Sequence, residues 1–284
     1  MSPVSGADAA RFAAFSFVDR IIRIEGLERV TGQYTIPPGV SGFPVSLIAE
    51  AIGQLAAWVA MSHVAFRRRP VAALAGATEV HALPAPGQTI DLEVDIDSCD
   101  EEAIVYRGRA SVGGQPVLTL SDTLGSMLDV EQFDDPTRLA ADFDTLIEAG
   151  CPVGRFKGIE APVLRTIQHE RGVRVETELL VPAQAAFFED HFPLRPVYPA
   201  TLLLDAMMRQ AAVLAEDAIG GPVQVRRITH VKVRSFTEPG TTLVLFAQAP
   251  EFMAGEPGLL MLKVGALNDG KTIAGARIYF QSPC

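Results

Sequence analysis

The chain has 284 residues, 48% of them hydrophobic, and a formal net charge of −10. That length supports one large domain or two ordinary ones with a substantial core, and the acidic balance disfavours a broad basic surface for nucleic acid. No apolar run is expected to reach the roughly 18 to 20 residues of a membrane span.

The N-terminus lacks a basic segment followed by an apolar one, so no leader is expected. Cys99, Cys151 and Cys284 have neither metal spacing nor a disulfide framework, which points to a reducing cytoplasm. Residues 17–21 begin a lead-in with strand character, and residues 44–61 form a helix that is apolar on nearly every face. Such a helix is expected to be buried all round. Arg67, Arg68 and Arg69 follow it. They read as a solvated helix exit favoured by the macrodipole, or alternatively as a docking patch for an acidic partner. Residues 89–97 alternate strictly, with Ile90, Leu92, Val94 and Ile96 on one face and acidic residues on the other. This predicts a half-buried antiparallel strand. Residues 103–112 and 116–127 flank Gly113-Gly114 and read as a hairpin. A polar stretch over 130–155, containing Asp134-Asp135-Pro136, reads as a connector.

The remainder repeats this pattern. Residues 173–181 alternate, 200–215 form a second apolar helix, 242–249 are apolar, and 259–267 pair with 272–280. Aligning Glu50 with Asp205 gives an offset of 155 (205 − 50). The same offset puts Pro44 on Pro199 and Gln54 on Arg209. Pro86-Gly87 matches Pro239-Gly240 at 153, and Gly114 matches Gly270 at 156. The chain is therefore written twice, as residues 1–129 and 156–284 around the connector 130–155. Each half is one long helix among strands.

Glu50 and Asp205 are carboxylates on buried helices, where an unpaired charge is costly. Asp205 has Arg209 at i+4, a spacing that allows an ion pair. Glu50 has no basic residue at i±3 or i±4, so a raised pKa and a general-acid role are open to it. His191 stands among Pro193, Pro196 and Pro199, just before the second helix. A lone loop histidine is commonly structural. Here its titration range suits proton abstraction, and the prolines stiffen its backbone. The N–H groups at the helix start, near Ala200, can hold a developing oxyanion.

Residues 187–210 resemble the signature of bacterial β-hydroxyacyl-acyl-carrier-protein dehydratases: a Gly-His-Phe-Pro segment, a Pro-Val-x-Pro-Gly turn, then Glu or Asp followed by Ala on a helix. Here these are Asp190-His191-Phe192-Pro193, Pro196-Val197-Tyr198-Pro199-Ala200 and Asp205-Ala206. The first half is similar to the same family in Phe17-Val18-Asp19-Arg20-Ile21 and Glu50-Ala51-Ile52-Gly53-Gln54, but lacks the histidine motif. The resemblance implies an α+β double hotdog, with antiparallel sheets each wrapped around a central helix and joined as a pseudo-dimer. It also implies a site that takes its histidine from one half and its carboxylate from the other. His191 would be the base, Glu50 the acid and Ala200 N–H the oxyanion donor. Phe192, Pro199 and Gln54 would line the acyl tunnel, and Arg67, Arg68 and Arg69 would dock an acyl carrier protein.

Counting back the 14 residues that separate His191 from Asp205 (205 − 191) reaches Ile36 in the first half (50 − 14), which predicts a dead second site. Asp190, Ala200 and Arg209 depart from the family pattern of Gly, Gly and Gln. No metal or organic cofactor is expected, since the substrate arrives on phosphopantetheine of a carrier protein or on coenzyme A. A hotdog thioesterase using Glu50 to activate water, or a non-catalytic acyl-binding or assembly protein, are the alternatives. The outer strand edges can pair with a second copy.

Overall fold

The computed structural model describes residue 12 and residues 14–283; the N-terminal stretch read for a leader, up to residue 11, and Cys284 lie outside them. The first half comprises β1 (Arg20–Glu25), β2 (Arg29–Thr35), α1 (Val45–His63), β3 (Arg68–Val80), β4 (Thr89–Cys99), β5 (Ala103–Val112) and β6 (Gln115–Asp129). A 3-10 turn (Val130–Gln132) and α2 (Pro136–Glu148) follow. Then come β7 (Leu164–Glu170), β8 (Arg174–Leu180), α3 (Phe187–Asp190), α4 (Ala200–Ile219), β9 (Gln224–Val233), β10 (Thr242–Phe252), β11 (Leu260–Asn268) and β12 (Lys271–Gln281).

The strands form one antiparallel sheet in the order β1-β2-β4-β5-β6-β3-β9-β12-β11-β10-β8-β7. Followed outward from the centre, the two halves have the same order: β3-β6-β5-β4-β2-β1 and β9-β12-β11-β10-β8-β7. The repeat in the sequence is thus a twofold repeat in space, and its seam is the antiparallel pairing of β3 with β9, from Leu74↔Lys232 to Glu79↔Arg227. The half-sheets are continuous through that seam. Helices α1 and α4 pack on the sheet and against each other.

Local packing follows the sequence pattern. In β4, Ile90, Leu92, Val94 and Ile96 are buried while Thr89 and Asp91 are exposed. The outward face is closed by a charge ladder in which Glu93 accepts from Arg29 and Arg109, and Arg107 pairs with Asp97. Helix α1 buries Leu47, Ile48, Ala51, Ile52 and Leu55 almost completely. It sits close to the sheet because β5 has Gly108 beneath it: a Cβ there would meet Ile52 Cγ2 at 2.3 Å. α1 has 19 residues with a mean hydropathy of 1.4, so it is long and apolar enough to cross a bilayer despite its interrupting polar residues. By length and composition α1 passes as a candidate span, but 67% of that window is buried inside the protein, as in a core helix.

Two expectations need correction. The arginine run is not a helix exit, because α1 ends at His63 and β3 begins at Arg68. Within β3, alternation sends Arg68 and Arg69 to opposite faces. Arg67 pairs with Glu101 and Arg68 with Asp129 at the surface, whereas Arg69 turns inward to Asp134.

Ile36 is also not the counterpart of His191. Ile36 N–H donates to Gln88 O and Ile36 O accepts from Gly87 N, just as Val181 N–H donates to Thr241 O and Val181 O accepts from Gly240 N. Ile36 therefore matches Val181. From Ile36 to the start of α1 is 9 residues (45 − 36), but from Val181 to the start of α4 is 19 (200 − 181). The first half lacks the whole excursion that carries α3 and His191. Counting back at fixed spacing cannot register that difference.

Candidate active site

One cavity of about 470 Å³ lies between the halves. Its wall takes Glu50 and Gln54 from α1, Arg69 from β3, Tyr106 from β5 and Asp134 from the connector. His191, Phe192, Ala200 and Thr201 complete it from the second half. The two residues expected to share a site thus face the same space from different halves. Asp205 does not line it, nor does Pro199, expected in the tunnel. Pro199 is buried as the N-cap of α4, where its carbonyl accepts from Leu202 N and Leu203 N.

Glu50 is held by neutral donors. Gln54 Nε2 donates to its Oε1 at 3.0 Å and Thr201 Oγ1 to its Oε2 at 2.8 Å. Burial raises its pKa, opposed by these two hydrogen bonds and by the charge of Arg69. The carboxyl is thus pushed above the ordinary carboxylate range, the direction a general acid near neutrality requires. Gln54 continues into the lead-in segment: it accepts from Phe17 N at 2.8 Å and donates to Phe15 O at 3.0 Å. It is therefore a positioning residue for Glu50 as well as part of the cavity wall.

His191 caps α3, and its Nδ1 lies 3.3 Å from Val197 O. A carbonyl only accepts, so Nδ1 carries the proton and Nε2 is left with its lone pair. Burial, helped by the charge of Arg69, pushes the pKa down to about 3 against the pull of Val197 O. The imidazole is neutral and able to take a proton throughout the physiological range. Phe192 beside it has φ +63°, a left-handed conformation that is costly for a bulky residue and persists where surrounding structure enforces it. The enforcement is visible: Arg69 Cζ sits 4.6 Å over the Phe192 ring, and Phe133 and Phe236 flank it.

Arg69 is the main departure from expectation. Its place in the arginine run suggests a surface docking residue, but its side chain is 15% exposed and bonds through Nη1 to Asp134 Oδ2 at 2.8 Å. Asp134 is 2% exposed and also receives Arg138. The connector thus reaches back into the site and neutralises the inward-facing arginine. Arg67 and Arg68 stay at the surface, each paired with a carboxylate.

At the start of α4, Ala200 borders the cavity, and the N–H groups of Ala200 and Thr201 have no backbone partner among the described residues. They stand at the positive end of a 20-residue helix. In the other half-site, burial raises the pKa of Asp205 and Arg209 opposes the rise. The hydrogen bond of Arg209 goes to Pro162 O, so its action on Asp205 is through charge at longer range. Tyr106, Thr201 and Asp134 are site residues that sequence reasoning misses. Thr201 is the most accessible of them, as the second residue of a helix whose first is already singled out.

A family model described as ApeI-like, ApeI dehydratase, matches residues 167–254. The 3-hydroxyacyl-acyl-carrier-protein dehydratase FabZ of Ruminiclostridium cellulolyticum is 31% identical over 119 residues, covering 41% of this chain and 82% of that protein. The chain belongs to the hotdog dehydratase family. The FabZ of Albidiferax ferrireducens is similar at 29% over 120 residues, covering 40% of this chain and 78% of the relative. Each relative is thus matched over less than half of this chain, as expected for a fused tandem of two hotdogs. Solved structures match over nearly the whole length. The tesB protein of Mycobacterium avium subspecies paratuberculosis covers 93% of this chain and 96% of its own, with a TM-score of 0.56 at 17% identity. The 12:0-ACP thioesterase of Umbellularia californica covers 91% and 95%, with a TM-score of 0.56 at 12% identity. At such identities the likeness is one of fold, the double hotdog.

Proposed function

We propose that this protein dehydrates (3R)-hydroxyacyl thioesters, carried on the phosphopantetheine of an acyl carrier protein, to trans-2-enoyl thioesters. The observation that carries this reading is that His191 and Glu50 line one cavity, the first a neutral imidazole whose Nδ1 is turned to Val197 O and the second a buried carboxyl whose pKa burial raises. His191 Nε2 takes the α-proton. The thioester oxygen gains charge and is held by Ala200 N–H at the positive end of α4. Glu50 gives its proton to the β-hydroxyl, the C–O bond breaks and water leaves. The proton on His191 then passes back to Glu50, so the cycle consumes nothing. The reaction as written draws on no metal or organic cofactor. The apolar part of the cavity, around Trp58, Met61, Leu203 and Leu204, suits an acyl chain.

A thioesterase shares the fold but needs a carboxylate to deprotonate water. Burial works against the ionised form of Glu50, which disfavours that role. The free thiols Cys99 and Cys151 suit a cytoplasmic setting, in fatty-acid or polyketide-type biosynthesis. The test is to offer 3-hydroxyacyl and saturated acyl thioesters to the full chain. Enoyl product without free thiol supports the proposal; free thiol from either substrate favours the thioesterase. No turnover of either would leave an acyl-binding protein.

A further inference from the structure

The lead-in segment before β1 touches both halves of the site. Asp190, next to His191, accepts two backbone N–H groups on one oxygen: Ala14 N at 2.7 Å and Phe15 N at 2.9 Å. Phe15 O accepts from Gln54, which also binds Phe17 N and the Glu50 carboxyl. The Phe15 ring is 2% exposed and lies edge-on to His191, with centroids 5.2 Å apart. It also meets Phe17 and Phe187. A single residue, Phe15, is thus hydrogen-bonded toward the base on one side and the acid on the other. Asp190 stands where the family pattern has a glycine, which could make no such side-chain bond.

We infer that residues 14–17 form a strap that sets the position of His191 relative to Glu50 across the two halves, with Asp190 as the positioning residue that anchors it. His191 and Glu50 belong to different halves, joined covalently only through a long connector. The strap spans them with charge-assisted hydrogen bonds at one end and a glutamine bridge at the other, and such bonds are short and directional. A catalytic pair needs placement to well within 1 Å, and an error of that size costs on the order of 10²-fold. Because both bonds from the strap end on one oxygen, the anchor needs an acceptor there more than it needs a charge.

The inference rests on the proposed dehydratase activity for its kinetic readout, but a second readout does not. Trp58 is the sole tryptophan; it lines the cavity and packs 6.4 Å from the Phe12 ring, just before the strap. Asp190→Ala and Asp190→Asn in the full chain provide the test. Asp190→Ala should lower kcat by about 10- to 100-fold with KM nearly unchanged, and should increase acrylamide quenching of Trp58. Asp190→Asn keeps an acceptor oxygen and should recover both toward the wild type. The strap is overturned if Asp190→Ala leaves kcat within twofold while lowering only thermal stability, if Asp190→Asn is as impaired as Asp190→Ala, or if quenching does not change. If the wild-type protein turns over no hydroxyacyl thioester, the proposed function fails and the quenching comparison alone decides the strap.

Discussion

Helices α1 and α4 hold equivalent places in the repeat, and each carries one carboxylate on an otherwise apolar surface. They have different surroundings. Glu50 faces the cavity, is held by a neutral glutamine and a neutral hydroxyl, and shares that cavity with a histidine supplied by the other half. Asp205 stays out of that cavity and has an arginine, Arg209, one turn on. The difference originates in a loop. The connection before α4 is ten residues longer than that before α1 (19 − 9), and those residues bring α3, His191 and the anchor Asp190. A carboxylate on a buried helix can act as an acid only where another segment brings it a base and where burial outweighs the partners that favour its charged form.

The contrast between the two helices breaks most completely at the base. His191→Ala should reduce turnover by about 10²- to 10⁴-fold, the usual contribution of a positioned proton-transfer group, as read by enoyl thioester hydration. Retained turnover would mean the longer loop is only structural.

Arg69→Met comes next. It leaves the 2%-exposed Asp134 with the Arg138 ion pair and the Asp135 N–H and should cost about 3 kcal/mol in chemical denaturation. It also removes a positive charge that helps hold His191 below its ordinary range. The acidic limb of the kcat/KM profile should therefore move to higher pH. A limb that stays fixed would remove Arg69 from the electrostatics of the site.

A smaller effect concerns stability against pH. The Glu50 pKa is raised on folding, so its contribution is fully present below its ordinary value of 4.5 and is lost as pH rises through the folded value. Glu50→Gln should therefore be more stable than the wild type at pH 8, by about 1–2 kcal/mol, and should gain little at pH 4. His191 runs the other way. Its pKa is lowered from 6.5 to about 3, so its contribution is present above pH 6.5 and is lost as pH falls toward 3. His191→Ala should flatten the acid side of the stability curve.

Much of this arrangement is legible in the amino-acid sequence. The alternation in 89–97 and the two all-apolar helices give strand, burial and the wrapped-helix architecture. The repeat offset places Glu50 opposite Asp205. What escapes has physical causes. Strand β3 reads Arg-Arg-Pro-Val-Ala-Ala-Leu-Ala-Gly-Ala-Thr-Glu-Val and is intermediate in burial along most of its length. Its small and apolar residues fall on both faces without regular alternation, so the inward turn of Arg69 is hidden in its neighbours. Fixed spacing sets Ile36 opposite Asp205 because an insertion leaves no local mark on the shorter copy. The anchoring of Ala14 and Phe15 on Asp190 joins positions about 175 apart in the chain, beyond the reach of any local pattern.

If one site is assembled from two halves, Glu50 and not the nearer Asp205 is the partner of His191. Side-by-side kcat measurements of Glu50→Gln and Asp205→Asn on a 3-hydroxyacyl thioester test this most directly. The assembled site predicts a loss of about 10²-fold or more for Glu50→Gln, and a rate within about threefold of wild type for Asp205→Asn, as for a substitution away from the reacting groups. The reverse pattern, with Asp205→Asn inactive and Glu50→Gln active, would contradict it.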